Sequence, residues 1–426
     1  MKKSSNVLTL YIFIAMVVGI GTGYAVFLLY GNADAKTPGF AQEFADKISI
    51  LTDIFLRLIK MIIAPLVFST LVVGVAKLGD IKAVGRIGGK TMLWFISATF
   101  VSLFLGLVLV NILQPGVSLN LPLPDAHAAT GIAKADMSLK GFFHHVVPDS
   151  VISAMATNEI LQIVVFSIFF GVAAAAIGEK AMPVVKLLDS VAHIMLKVTG
   201  FVMNFAPFAV FGAMSAIIAI KGPGVLITYG KFIVQFYGGL FSLWIVLALV
   251  GWLILGKPVF KLLKHIKDPL LLAFATASSE AAYPRTMEEL EKFGCDSRIV
   301  SFVLPLGYSF NLDGSMMYMT FASLFIAQAY GMHLTIDQQI TMLLVLMITS
   351  KGIAGVPRAS LVVIAGTLSM FHIPEGGLVL LLGVDHLLDM GRSATNVIGN
   401  AMATAVVSKW ENKNAGEIAN ATLTKV

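Results

Sequence analysis

The residues best equipped for chemistry lie on one stretch near the C-terminus, GVDHLLDMGRSATNVIGNAMATAVV, at positions 383–407. Asp385, Asp389, Arg392, Asn396 and Asn400 sit at offsets 0, 4, 7, 11 and 15. At about 100° per residue these positions fall within a stripe roughly 80° wide, with Ser393 on its edge. An ionisable residue in lipid costs at least ~2.5–3.5 kcal/mol, so each needs a partner or water. One reading is an internal ladder, Asp389 with Arg392 and Asp385 with His386. The other is a ligand-facing stripe, in which Arg392 holds a carboxylate bidentately and Asp389 holds an ammonium. A cation and an anion one helical turn apart suit a zwitterion with an additional acid group.

Upstream, NLDGS (Asn311–Ser315) interrupts an apolar run, 299–329, whose only charge is Asp313. An Asn/Asp pair beside Gly in lipid predicts an unwound turn whose carbonyl and carboxylate oxygens suit a monovalent cation. A salt bridge from Asp313 to Arg285 or Arg358 is the structural alternative. Two further segments, AFATASSEAAYPR (273–285) and ITSKGIAGVPRAS (348–360), are runs of small residues ending in Pro-Arg. Irregular backbone at membrane depth is tolerated only where protein or a water-filled cavity satisfies it, so both predict re-entrant hairpins. Ser278 and Ser279 at the first tip are candidate carboxylate contacts, and Gly352 and Gly355 at the second allow close backbone approach. Asn311 follows Pro284 by 27 residues and Asp385 follows Pro357 by 28, so the chain repeats hairpin and then polar helix. Paired, broken hydrophobic segments of this kind point to a transporter's midplane site.

The elements that position these residues follow from composition. Of 426 residues 57% are hydrophobic and 13% charged, about half the charge of a soluble domain, so most of the surface avoids water. Runs at 7–30, 61–76 (with amphipathic 48–60 ahead of it), 92–113, 160–178, 198–220 and 232–256 meet or approach the ~20 residues that span a bilayer. Asp53, Arg57 and Lys60 share a face of the second helix and read as its polar, interfacial side. Lys2 and Lys3, then Lys77, Lys82, Arg86 and Lys90, then Lys257, Lys261, Lys264 and Lys267 flank alternate runs. The positive-inside rule makes these clusters and the N-terminus cytoplasmic and the segment 114–139 external. The net charge of +6 therefore reports topology, and nucleic acid is not implied. The first run is long enough to span, which argues against a cleaved signal. A single cysteine, Cys295, excludes an intrachain disulfide framework.

SSE before Pro284, NLDGS, SKGIAGVP and DMGRSATNVIGN together resemble the signature of the glutamate transporter family, the dicarboxylate/amino acid:cation symporters. The resemblance runs from the first helix and IFLRLIKMIIAPLVFSTLVVGVAKLGD (54–80) to the end of the last helix. It implies an all-α integral membrane protein with eight transmembrane helices, two re-entrant hairpins, inverted repeats, a homotrimer and elevator-type motion. Residues 1–256 would be mainly scaffold, with the third helix in the transport domain. Residues 257–411 would be the transport core: hairpin 257–295, helix 297–330, hairpin 336–373 and helix 376–411. Residues 412–426 would form a cytoplasmic tail in the bacterial inner membrane protein.

By this resemblance Arg392 matches the arginine for the substrate's side-chain carboxylate and Asp389 the aspartate for its amino group. Ser279, Ser315, Ser393, Asn396 and the backbone of Gly355, Val356 and Pro357 match further substrate contacts, beside Ser278 read from the hairpin tip itself. Gly307, Asn311, Asp313, Thr99, Asn396 and Asn400 fall at cation sites. Asp389 favours glutamate or aspartate over a four-carbon dicarboxylate. Departures concern the ion: Asn400 replaces an aspartate, Phe95, Ala98 and Thr99 meet a Tyr-and-Thr/Ser site, and Met319 replaces a proton-carrying glutamate. Arg358 stands where relatives often have Gly. Protons are therefore expected over sodium, with Glu280, His386 and Asp389 as proton-coupling candidates and no organic cofactor. A sodium-coupled amino acid or C4-dicarboxylate symporter is the runner-up. An anion channel or an intramembrane aspartyl protease is the distant alternative, the latter lacking the glycine two residues before Asp313.

Overall fold

The computed structural model describes residues 2–30, 39–78, 81–117, 146–222, 229–350, 359–382 and 384–411. Among them the regular elements are all helical. Gly352, Gly355, Val356, Pro357 and Arg358, and with them the second hairpin tip, lie outside the described residues, as does the tail 412–426.

The first helices are long. They are α1 (Lys2–Tyr30), α2 (Phe40–Leu78) and α3 (Ile81–Leu113). The amphipathic segment 48–60 continues into the apolar 61–76 without a break, so α2 is one helix that carries Pro65 in its interior. A short α4 (Val151–Thr157) precedes α5 (Ile160–Ile177), α6 (Met182–Met203), α7 (Ala206–Lys221) and α8 (Gly230–Leu255). The run 198–220 was expected to be one span. The structure divides it at Asn204–Phe205 because Pro207, with no N–H and a fixed φ, starts a new helix in its first turn. Among the described residues five stretches are long and apolar enough to cross a membrane, namely 10–30, 40–76, 84–113, 160–203 and 230–255.

The C-terminal half consists of broken helices. The first hairpin is α9 (Pro258–His265), α10 (Lys267–Thr276) and α11 (Ser279–Phe293). The predicted helix 297–330 is α12 (Ser297–Phe310) and α13 (Asp313–Ala329), interrupted at NLDGS. Next come α14 (Ile336–Thr349) and α15 (Ala359–Met370), the described arms of the second hairpin segment. The predicted helix 376–411 begins as a 3₁₀ turn and α16 (Leu378–Leu382), and its regular part, α17 (Asp385–Glu411), starts at the first aspartate of the stripe.

Packing follows composition. Helices α1, α2, α5, α6 and α7 pack mainly on one another, while α17 is enclosed by α3, α8, α10, α11, α12 and α13. Every residue of α13 from Asp313 to Ala327 is buried, as expected of a helix apolar on all faces. Besides α3, α8 packs on the last helix: Tyr237 and Trp244 hydrogen-bond to α17. Outward faces expose large apolar side chains, among them Phe100 and Phe104 on α3 and Phe241 and Ile245 on α8. Such a belt is stable against lipid and not against water.

Both ends of the core are tied. At one end the last carbonyls of α3 accept side-chain amides, Leu113 O from Gln235 (3.0 Å) and Val110 O from Gln328 (3.2 Å), and Asn111 donates to Gln339 of α14 (2.7 Å). Leu113 O is one of the carbonyls that a helix end leaves without an intrahelical partner, while Val110 O also accepts from the Gln114 N–H (2.9 Å). At the other end Glu411 receives Arg86 (2.7 Å) and Lys90 (2.6 Å), locking the close of α17 to the start of α3. Arg285, one expected partner of Asp313, pairs instead with Glu288 (2.7 Å) and Glu289 (3.0 Å) at the base of the first hairpin.

Between hairpin and α12 the chain turns at Asp296, whose carboxylate accepts from the Arg298 N–H (2.9 Å) and pairs with its guanidinium (2.5 Å). The Arg298 hydrogen bonds hold this carboxyl below its ordinary value of 3.8. A depressed carboxyl contributes stability at pH values above that ordinary value, and the contribution disappears as pH falls below it. Asp296→Ala is expected to lower stability by about 1 kcal/mol at neutral pH and Asp296→Asn by less, because Asn also caps. Unfolding midpoints in detergent, with a difference between wild type and Asp296→Ala that shrinks below the ordinary Asp range, check this.

Candidate functional site

The site is built around the interruption between α12 and α13. Asn311 and Leu312 leave the helix with ψ near 63° and 62°, so the amides that open α13 lose their intrahelical acceptors. Asn396 of α17 supplies one. Its Oδ1 accepts from the N–H groups of Gly314 (2.9 Å) and Ser315 (3.3 Å), and its Nδ2 donates to Ser315 Oγ (3.2 Å). A side chain of one broken element thus caps the helix of the other, and Asn396, expected at both the substrate and the cation, also braces the backbone.

On one side of this brace stands a charged pair. Arg392 Nε lies 2.6 Å from Asp389 Oδ1, and Arg392 Nη1 donates to Ser315 Oγ (3.1 Å). The side chains are 16% and 12% exposed, so the pair is nearly withdrawn from water but reachable. Asp385, expected beside His386, accepts from the buried Tyr318 hydroxyl at 2.7 Å. Ser393 is fully buried and its Oγ has no hydrogen-bond partner among the described residues. The opposite flank of α17 is held by Tyr237 OH on Leu387 O (2.6 Å) and Trp244 Nε1 on Thr395 Oγ1 (2.7 Å).

On the other side is an oxygen cluster. Asn311 Nδ2 donates to Asp313 Oδ2 (3.1 Å) and Asn400 Oδ1 (3.3 Å), and Ser102 of α3 donates to Asp313 Oδ1 (3.3 Å). Asn311, Asp313 and Thr99 are entirely buried and Asn400 nearly so. Asn311 Oδ1, buried where water does not reach, has no donor among the described residues. Gly307 lies so close to Asn400 Oδ1 that any Cβ would collide with it, and Phe95 borders the same spot at 3.5 Å. One carboxylate with amide and hydroxyl oxygens is a donor set for a hard monovalent cation. No cluster of three or more His, Cys, Asp or Glu suited to a metal ion occurs among the described residues. Asn311, Asp313 and Asn400 would hold such a cation, which would supply positive charge beside Asp313.

The first tip is closed by Ala277 in a left-handed conformation (φ 52°) and by Ser278, whose Oγ caps α11 by accepting from Ala281 N at 3.3 Å. Ser279 opens α11 and is buried. Glu280 follows, and the charges acting on its carboxyl are Lys60 of α2 and Arg392. His386 is half-buried beside the stripe.

Of the residues expected from the sequence, hydrogen bonds join Ser315, Asp389, Arg392 and Asn396 into one unit and Asn311, Asp313 and Asn400 into another. Ser102 and Tyr318, not expected, hydrogen-bond to Asp313 and Asp385. Both could be found from helical spacing, since Ser102 follows Thr99 by three residues and Tyr318 follows Ser315 by three, which puts each on its neighbour's face.

Close packing makes one position decisive. A Cβ on Gly399 would overlap Asp313 Oδ2. Gly399→Ala must displace that carboxylate, and overpacking of this kind costs about 1–3 kcal/mol. Gly85→Ala, on an exposed face of α3 where an added Cβ meets nothing within 4 Å, is the control expected to keep or slightly raise the unfolding midpoint, since Ala favours a helix over Gly by about 0.5–1 kcal/mol. Equal midpoints for the two variants would contradict the packing described.

The chain matches the sodium:dicarboxylate symporter family over residues 8–410. It is 43% identical over 409 residues to the "Proton/sodium-glutamate symport protein" of Bacillus caldotenax, covering 94% of both chains. It is 41% identical to the protein of that name in Bacillus subtilis (strain 168), over 96% of this chain and 94% of the relative. A "C4-dicarboxylate transport protein" of Laribacter hongkongensis (strain HLHK9) is 42% identical over 87% of each. With the family matched over nearly its whole length and its broken helices meeting at one buried polar site, this chain belongs to the sodium:dicarboxylate symporter family.

Proposed function

We propose that the chain is a secondary active symporter importing an acidic amino acid, glutamate or aspartate, with protons favoured over sodium as the coupling ion. The supporting observation is the Asp389–Arg392 pair, two opposite charges 2.6 Å apart at a nearly buried site. A dicarboxylate needs only the guanidinium. A zwitterionic acid uses both charges, exchanging the internal pair for a carboxylate on Arg392 and an ammonium on Asp389. Ser278, Ser279, Ser315, Ser393, Asn396 and the Gly355–Pro357 backbone complete the proposed substrate contacts. Relatives named for glutamate and for C4-dicarboxylates stand at similar identity, so Asp389 is the discriminating residue in this reading.

The cation reading rests on Asn311, Asp313 and Asn400, with Gly307, Thr99 and Asn396 beside them. Asn400 brings no negative charge, which weakens the pull on sodium and favours a proton carried by Glu280, His386 or Asp389. Three copies would assemble in a cell membrane, with α3 and the helices around α17 moving past α1, α2 and α5–α7.

Uptake of labelled aspartate, glutamate and succinate into proteoliposomes, under an imposed proton or sodium gradient, tests this directly. Aspartate or glutamate accumulation driven by the proton gradient is expected, and no accumulation under either gradient would overturn the symporter reading. Asp389→Asn is expected to weaken amino acid binding by about 2–5 kcal/mol, as when one partner of a buried charge pair is removed, while succinate competes at least as well as before. Glu280→Gln is expected to reduce proton-driven uptake, and undiminished uptake would remove Glu280 from the coupling group.

A further inference from the structure

A second charged feature lies outside the polar site, where α8 meets the first hairpin. The apolar helix α8 ends at Leu255, Gly256 turns the chain with φ 78°, and α9 begins at Pro258. Val259 and Leu262 face the protein and are buried to 1% and 0% exposure, whereas Phe260 on the opposite side is 65% exposed. Lys257, Lys261 and Lys264 fall at about 0°, 40° and 340° on a helical projection and Phe260 at about 300°, one continuous outer face. Lys267 follows at the start of α10, all four lysines are exposed, and no acidic residue occurs from 256 to 267. The nearby His265 turns inward to Glu289 at 3.0 Å and does not dilute the patch.

Its position points to the occupant. The last turns of α8 expose Leu249 (52%), Trp252 (47%) and Leu253 (69%), an apolar surface ending in an interfacial tryptophan. Lys257 is two residues beyond Leu255, so at most ~7 Å of chain separates the apolar belt from the first lysine. Charges that close to the end of a lipid-facing helix stand at headgroup depth, and lysines there gain from an anionic surface. We propose that the outer face of α9, with Lys257, Lys261, Lys264 and Lys267 around Phe260, is a docking surface for anionic phospholipid headgroups, Phe260 entering the acyl boundary. Because α9 leads straight into α10, an occupied face anchors the first hairpin at its base.

The test uses the purified full chain in neutral detergent, titrated with phosphatidylglycerol or phosphatidylcholine while the apparent Tm is followed. Phosphatidylglycerol is expected to raise the Tm saturably and phosphatidylcholine to leave it nearly unchanged. The variant K257Q/K261Q/K264Q/K267Q, altered only at exposed side chains, is expected to need at least about tenfold more phosphatidylglycerol for the same shift. Lys47→Gln, exposed on α2, is expected to behave as wild type. If the fourfold variant proves unstable without lipid, wild type at about 0.5 M salt decides, since screening should weaken the effect to a similar degree. Equal shifts for the two lipids, a fourfold variant titrating like wild type, a salt-independent effect, or reproduction of the shift by inorganic phosphate at matched concentration would each overturn the proposal.

Discussion

The rest of the site depends on one hydrogen-bonded brace. Breaking a helix in lipid leaves amides and carbonyls that no water can satisfy, at a cost of several kcal/mol each. The carboxamide of Asn396 removes that cost at α13 by capping two amides and binding Ser315 Oγ in the same gesture. Once the brace is in place, Ser315 becomes an acceptor for Arg392, and Asp313 is turned toward Asn311 and Ser102. The charged pair and the oxygen cluster are therefore two faces of one joint between α12–α13 and α17.

That joint explains the glycines around it. Gly314 lies against the Arg392 carbonyl, Gly399 against Asp313 and Gly307 against Asn400, each closer than any Cβ could stand. Small residues let helices approach until side-chain amides can reach backbone, which is how polar groups are satisfied in a medium that offers no hydrophobic drive between helices. The aromatic contacts from α8 press α17 from the opposite flank: Trp244 on Thr395 and Tyr237 on the Leu387 carbonyl. The polar stripe is thus clamped from both sides, and its geometry is set by packing as much as by its own hydrogen bonds.

Much of this was legible in the sequence because lipid makes polarity conspicuous. The stripe from Asp385 to Asn400 stood out by periodicity, and the break at NLDGS by its residues' poor fit to an apolar helix. Less legible was which polar group would answer which. Asp389 and Arg392 are three apart and pair as periodicity suggests, but Asp385 finds Tyr318, 67 residues earlier in the chain, and Asp313 finds Ser102, 211 residues earlier. Such pairings arise from the packing of α3, α13 and α17, which no local pattern encodes. The division of 198–220 shows the converse: hydropathy made one span of it, while Pro207, a purely local constraint, made two helices. Likewise α8 reads as a plain apolar span, and it is contacts such as those of Tyr237, Trp244 and the Ile254 carbonyl with α17 that set it against the last helix.

Placing both halves of the site on one helix has a thermodynamic consequence. Arg392, Asn396 and Asn400 occupy successive turns of α17, and Asn396 and Asn400 touch the two ends of the same interrupted turn, Ser315 and Asn311. If both proposed sites bind, a ligand that stiffened one end of NLDGS would reduce the entropy that a second ligand spends at the other, so the two would favour each other without a separate relay. Linkage requires the effect to be equal in both directions. In a symporter this reciprocity is the property that matters, because cargo and ion must cross together. Under the proposed function, a cation at Asp313 would lower the freedom of the turn that presents Ser315 to the substrate, and the substrate would lower the freedom of the turn that presents Asn311 to the cation. In the proposed reading the coupling would follow from the broken helix itself, with Asn396, hydrogen-bonded to the start of α13, as the residue that joins the two halves.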